Sequence, residues 1–129
     1  MFTIRLQGGA PIYEQLEQRI TELIVSGEIP ENERLPAVRE IAKQLSINPN
    51  TVQKTYANLE ARGLIYSIPA KGSYAAARGE YLEKVRGESM ETFSEAVRNA
   101  LRNGLSAEDL HGIIDQITRE ESEINEENK

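Results

Sequence analysis

Residues 46–65 read SINPNTVQKTYANLEARGLI. Asn48-Pro49 is a helix start with a mechanism. An asparagine side chain can accept a hydrogen bond from an orphan backbone N–H, and proline at the first helical position loses nothing by lacking one. Val52, Tyr56 and Leu59 recur at helical spacing and therefore share one side, while Gly63 supplies a stop. The other side carries Asn50, Thr51, Gln53, Lys54 and Asn58, a set without a single acid. Either this is an ordinary amphipathic helix with a solvated face, or that polar face is presented to a partner.

The flanking sequence decides the setting of this helix. Upstream, Val38, Ile41, Ala42 and Leu45 predict a short helix, with Ser46-Ile47 as a tight connection. Earlier still, Ile12, Tyr13, Leu16, Ile20, Leu23 and Ile24 predict a longer helix, with Pro11 near its start and Gly27 at its end. EIPENERLP, residues 28–36, reads as a loop closed by Pro36. Downstream, Leu64-Ile65-Tyr66-Ser67-Ile68 is strand-like, Pro69-Ala70-Lys71-Gly72 is turn chemistry, and Ser73-Tyr74-Ala75-Ala76 returns as a second strand. Helix, helix, short turn, helix and hairpin is the order of a winged helix-turn-helix.

Residues 77–129 follow a different pattern. Tyr81, Leu82, Val85, Phe93, Ala96, Val97, Ala100 and Leu101 keep a helical period that breaks at Asn103-Gly104. Ser106 then caps a second helix with Asp109 as its capping-box partner, a weaker choice than Glu, and Leu105 and Leu110 are placed as a hydrophobic staple. Leu110, Ile113, Ile114, Ile117 and Ile124 form its apolar stripe, and residues 120–129 are mostly polar and expected to fray. The fold class is mainly α (α+β). Residues 1–76 are expected to form a winged helix-turn-helix with a two-stranded wing, and residues 77–129 a two-helix dimerisation element. Leu82, Val85, Phe93, Val97, Leu101, Leu110, Ile113, Ile114 and Ile117 are the expected dimerisation residues, because amphipathic helices need a surface to cover.

Composition narrows the function. The 129 residues suit one ordinary domain with an accessory element, and an apolar share of 39% argues against a large single core. No cysteine and a single histidine, His111, rule out the usual structural zinc ligands. No run is long and apolar enough for a transmembrane helix and no signal pattern opens the chain, so a soluble cytoplasmic protein without membrane partner is expected. Net charge is −6, which at first disfavours nucleic acid, but the charge is not evenly spread. Residues 1–33 are net −4, residues 34–72 net +4 and residues 73–129 net −6. The basic segment contains the opening helix, and polyanion binding depends on a face rather than an average.

A helix-turn-helix lays its second helix in the major groove with N-terminal residues against base edges. Asn50 and Gln53 can pair bidentately with adenine, Thr51 can offer hydroxyl or methyl, and Lys54 more naturally reaches phosphate. The helix N-terminus adds its own attraction for phosphate. Asn48 is a cap first, with a phosphate contact secondary. Arg39, on the exposed side of the preceding helix, is directed at guanine or phosphate, and Lys71-Gly72 at the hairpin tip probes phosphate or the minor groove. No nucleophile elbow, phosphate loop or metal motif occurs, so neither an enzyme nor a cofactor is expected.

These residues resemble the GntR family of bacterial transcription regulators. The matching stretches are PIYEQLEQRI at 11–20, RLPAVREIAKQL at 34–45, INPNTVQKTYANLEARGLI at 47–65 and PAKGSY at 69–74. The asparagine-proline-asparagine start and short helical tail are similar to the YtrA-type subfamily. The resemblance implies a homodimer held by the C-terminal helices, binding a double-stranded operator of two related half-sites as a repressor. It implies DNA contacts from Arg39, Asn50, Thr51, Gln53 and the wing around Lys71-Gly72. The family often has Arg at the positions of Pro49 and Gln53, so base preference does not carry over, and its wing usually has Gly where Ala70 stands. If a small-molecule effector, of unknown identity, regulates the protein, its expected place is between tail and winged helix or at the dimer seam. The alternative is a winged-helix protein-interaction module without DNA binding.

Overall fold

The apolar steps of residues 12–24 form α1 (Ile12–Val25) in the computed structural model of the chain, which describes residues 4–6 and 8–127. Leu16, Ile20, Leu23 and Ile24 are buried, and the carbonyl of Pro11 accepts from Glu14 and Gln15 at 3.1 and 3.2 Å to open the helix. The chain then reaches α2 (Val38–Leu45) and α3 (Pro49–Ala61), the two helices of the helix-turn-helix. Ser46 turns between them in the left-handed region at φ 55°, which lets the Ile47 N–H return to the Ala42 carbonyl at 3.0 Å. The same helix-ending geometry recurs after α3, where Gly63 at φ 80° allows Leu64 to reach back to Leu59 at 3.0 Å.

Strands β1 (Ile65–Ile68) and β2 (Gly72–Ala75) pair antiparallel, with Ile65 opposite Ala75, Tyr66 opposite Tyr74, Ser67 opposite Ser73 and Ile68 opposite Gly72. The expected two-stranded wing is present, and a third segment joins it. Asn32 N–H donates to the Ala75 carbonyl, Ala75 N–H to Glu33 and Leu35 N–H to Ser73, at 2.8–2.9 Å, with Arg34 bridged to Tyr74. Residues 28–36, read as a plain loop, thus supply a short edge to the sheet. Prolines at 30 and 36 and the absence of alternating apolar residues hide that pairing in the sequence.

Two compact units result, Met1–Val85 and Arg86–Lys129. The core of the first is built from α1, α2, α3 and the wing, and includes Val52, Leu59, Leu64 and Ile65. It also takes in the start of α4 (Arg78–Arg102). Tyr81 is buried, and its hydroxyl donates to the Ile24 carbonyl at 3.3 Å. The Glu31 carboxylate accepts the Arg78 backbone N–H at 2.8 Å, and Lys84 Nζ donates to the Ala61 carbonyl at 3.2 Å. The first unit therefore runs past residue 76, the boundary read from the sequence, to Val85, which packs against its core.

In the second unit, the remainder of α4 turns at Asn103-Gly104 into α5 (Ala107–Glu127). Ser106 and Asp109 form the reciprocal capping box, Ser106 N–H to Asp109 Oδ2 at 2.8 Å and Asp109 N–H to Ser106 Oγ at 3.1 Å. Those two bonds hold the Asp109 carboxyl below its ordinary value. The tail expected to fray is helical through Glu127, helped by its Glu-rich composition and a Gln116–Glu120 hydrogen bond of 3.2 Å; Asn128 and Lys129 lie outside the described residues.

Candidate nucleic-acid interface

Helix α3 is divided by what its side chains touch. Val52, Thr55, Tyr56 and Leu59 are buried, while Asn50, Gln53 and Lys54 are exposed and Thr51 and Asn58 half-buried. Thr55, not assigned a side from the sequence, is accommodated inside by donating its hydroxyl to the Thr51 carbonyl at 3.0 Å. Tyr56 donates its hydroxyl to the Pro36 carbonyl at 2.6 Å, which ties α3 to the residues leading into α2. Burial, reinforced by the charge of Glu40, pushes the Tyr56 phenol well up, so it remains a donor at any ordinary pH. Arg62, at the end of α3, donates to Glu17 and Thr21 of α1, both at 3.1 Å.

Asn48 caps α3, its Oδ1 accepting from Asn50 N–H at 2.8 Å, and its carbonyl accepts from Thr51 N–H at 2.9 Å. Pro49 has no N–H. The N–H groups of Asn50 and Thr51 in the first turn are thus engaged by Asn48 itself. Asn48 has its oxygen committed to the cap. The side chains of Asn50, Gln53 and Lys54 are exposed on this helix, with Thr51 half-buried beside them.

Lys54 is exposed but not free. Its ammonium lies 4.2 Å from the centroid of the Tyr13 ring, a cation–π contact that links the recognition-helix face to α1. Spacing alone puts Tyr13 on the apolar face of α1; its contact with Lys54 gives it this second role. Arg39 is exposed on α2 and makes no hydrogen bond or ion pair among the described residues.

At the wing, Lys71 is exposed, and its N–H closes the turn onto the Ile68 carbonyl at 3.0 Å. Ala70, where a glycine would be unstrained, is held at φ 66°. Gly72 has φ 127°, and a β-carbon there would sit 2.9 Å from Nε of Arg34. Arg34, Lys71 and Gly72 thus meet at one end of the sheet; Arg34 escaped sequence reading because its partner is distant in the chain.

The remaining sequence-predicted residues lie on α4 and α5. Leu82, Val97 and Leu110 are half-buried, as is Val85 against the first unit's core. Phe93, Leu101, Ile113, Ile114 and Ile117 are exposed, between 41% and 54%. His111 is exposed, and no group of three or more metal-ligating side chains occurs among the described residues. No helix among them is long and apolar enough to cross a membrane.

The family model of bacterial regulatory proteins, gntR family, matches residues 12–74. The chain is 33% identical over 120 residues to the HTH-type transcriptional repressor YtrA of Bacillus subtilis, covering 92% of both chains. A transcriptional antiterminator from Listeria monocytogenes superposes with a TM-score of 0.75 at 32% identity, covering 92% of this chain and 90% of that one. AraR(DBD) in complex with its operator superposes at 0.51 with 27% identity, covering 59% of this chain and 95% of that one. Helix order, wing pairing and these likenesses agree: the chain belongs to the gntR family of bacterial transcriptional regulators, whose members regulate transcription rather than catalyse reactions.

Proposed function

We propose that this protein is a cytoplasmic, homodimeric repressor that binds an inverted-repeat operator sequence-specifically through α3 and the wing. The observation that carries the reading is the acid-free exposed face of Asn50, Gln53 and Lys54, on a helix braced from behind by Val52, Tyr56 and Leu59. Asn50 and Gln53 have the donor and acceptor pairs that read adenine, and Lys54, Arg39 and Lys71 supply cations for backbone or guanine. YtrA of Bacillus subtilis is a repressor, and AraR(DBD) binds operator DNA, which supports both the partner and the sign of regulation.

The dimer reading rests on α4 and α5. Ile113, Ile114 and Ile117 are each more than 40% exposed on one helix, a stripe suited to burial against a second copy. One reading head makes few contacts; two tethered heads combine their affinities through effective concentration.

Selection of bound duplexes from a random pool tests the function directly. A two-fold symmetric motif with fixed half-site spacing is expected. The absence of duplex binding even at low salt overturns the reading in favour of a protein-interaction module.

A further inference from the structure

The wing carries a second cation besides Lys71, and it comes from outside the hairpin. Arg34 is bridged to Tyr74, and directly opposed residues of antiparallel strands share a face. Tyr66 opposes Tyr74, and Gly72 lies two residues from Tyr74, so Arg34, Tyr66, Tyr74 and Gly72 occupy one face of the sheet. Ile65 and Ala75, on the other face, are buried, so the face with Arg34 is the outer one. The tyrosine rings stack at 5.6 Å, and the Arg34 guanidinium continues that layer over Gly72, the first residue of β2 after the hairpin turn.

This arrangement is close. Nε, Nη2 and Cζ of Arg34 would lie 2.9, 3.5 and 3.7 Å from a β-carbon at position 72, so a side chain there would displace the guanidinium from its present place, while the φ of 127° separately favours glycine. Arg34 is exposed and forms no ion pair among the described residues, although Glu33 precedes it. A guanidinium with its stem held on backbone and its donors uncompensated is prepared for an anion.

We propose that Arg34 is a backbone-phosphate contact of the wing and that Gly72, besides its left-handed backbone, leaves the guanidinium its place, an inference that rests on the DNA-binding reading above. The test is duplex affinity of the full chain as a function of salt, for wild type, Arg34→Gln, Arg34→Lys, Gly72→Ala and the Arg34→Gln/Gly72→Ala pair. Both a selected operator and an unrelated duplex are used. One lost phosphate contact lowers the magnitude of the log–log salt slope by about 0.9 per protomer. Between about 50 mM and about 200 mM salt, Arg34→Gln should therefore lose roughly 3.5-fold less affinity per protomer than wild type. The loss should be similar on both duplexes, Arg34→Lys should keep most of the slope, and Gly72→Ala should add little once Arg34 is Gln.

An unchanged slope in Arg34→Gln overturns the phosphate contact. A loss confined to the operator also overturns it, in favour of base reading. Full additivity of Gly72→Ala and Arg34→Gln overturns the seating role; should Gly72→Ala not fold, the Arg34→Gln slope decides the phosphate contact alone. Failure of wild type to bind any duplex would instead sink the functional reading, and the two failures are thereby distinguished.

Discussion

Tyr56→Phe removes one oxygen and tests how the recognition helix is held. The lost bond is the 2.6 Å donation to the Pro36 carbonyl, from a side chain that is 6% exposed. A net hydrogen bond contributes about 1 kcal/mol, and a carbonyl left partly unpaired adds to the loss, so a destabilisation of roughly 1.5 kcal/mol is expected at pH 7. For a unit of this size that corresponds to a Tm lower by roughly 6–12 °C.

The same phenol makes the effect pH-dependent. Burial and Glu40 raise its folded pKa above the ordinary value, so it contributes stability in full below the unfolded pKa and loses it as pH rises towards the folded one. With an unfolded value of about 10, ionisation of the unfolded chain takes back about 1.4 kcal/mol by about pH 11. Wild type should therefore converge on Tyr56→Phe between about pH 10 and 11, the other tyrosines cancelling in the difference. Urea unfolding followed by circular dichroism at a series of pH values measures this. A gap between the two proteins that stays constant with pH, or a loss at pH 7 below about 0.5 kcal/mol, would refute the reasoning.

Glu17→Ala removes the carboxylate paired with Arg62, both side chains being 22% exposed, while the Thr21 bond remains, and should cost about 1 kcal/mol in urea unfolding. Ala70→Gly relieves a left-handed alanine but loosens the unfolded chain, so a net gain of up to about 1 kcal/mol is expected, read as a raised Tm. Ser106→Ala breaks the reciprocal cap of α5 and should lower helicity by circular dichroism. In wild type, the Asp109 contribution is present above the usual carboxylate range and fades as pH falls through its depressed value, so acid should reproduce part of that loss. Ile114→Glu with Ile117→Glu should convert a dimer into a monomer in sedimentation; an unchanged mass would move the interface elsewhere.

Much of this molecule was readable from local pattern. The start at Asn48-Pro49, the stop at Gly63, the inward set Val52, Tyr56 and Leu59, and the Ser106–Asp109 box all depend on residues within a few positions of each other. Hydrogen bonds of that range are encoded by residue type and spacing, and so the helices and their polar faces could be assigned from the chain alone.

Contacts between distant segments were decided by the fold. Residues 32–35 became a sheet edge because their hydrogen-bonding partners lie about forty positions on, at Ser73 and Ala75. Arg34 reached Gly72, Lys54 reached Tyr13, and Tyr81 with Val85 joined the first unit's core by the same route. None of these pairs leaves a periodic trace, because each depends on where two separately determined elements come to rest. The exposed face of α3 was therefore legible in the sequence, whereas its bracing and the second wing cation are products of tertiary packing.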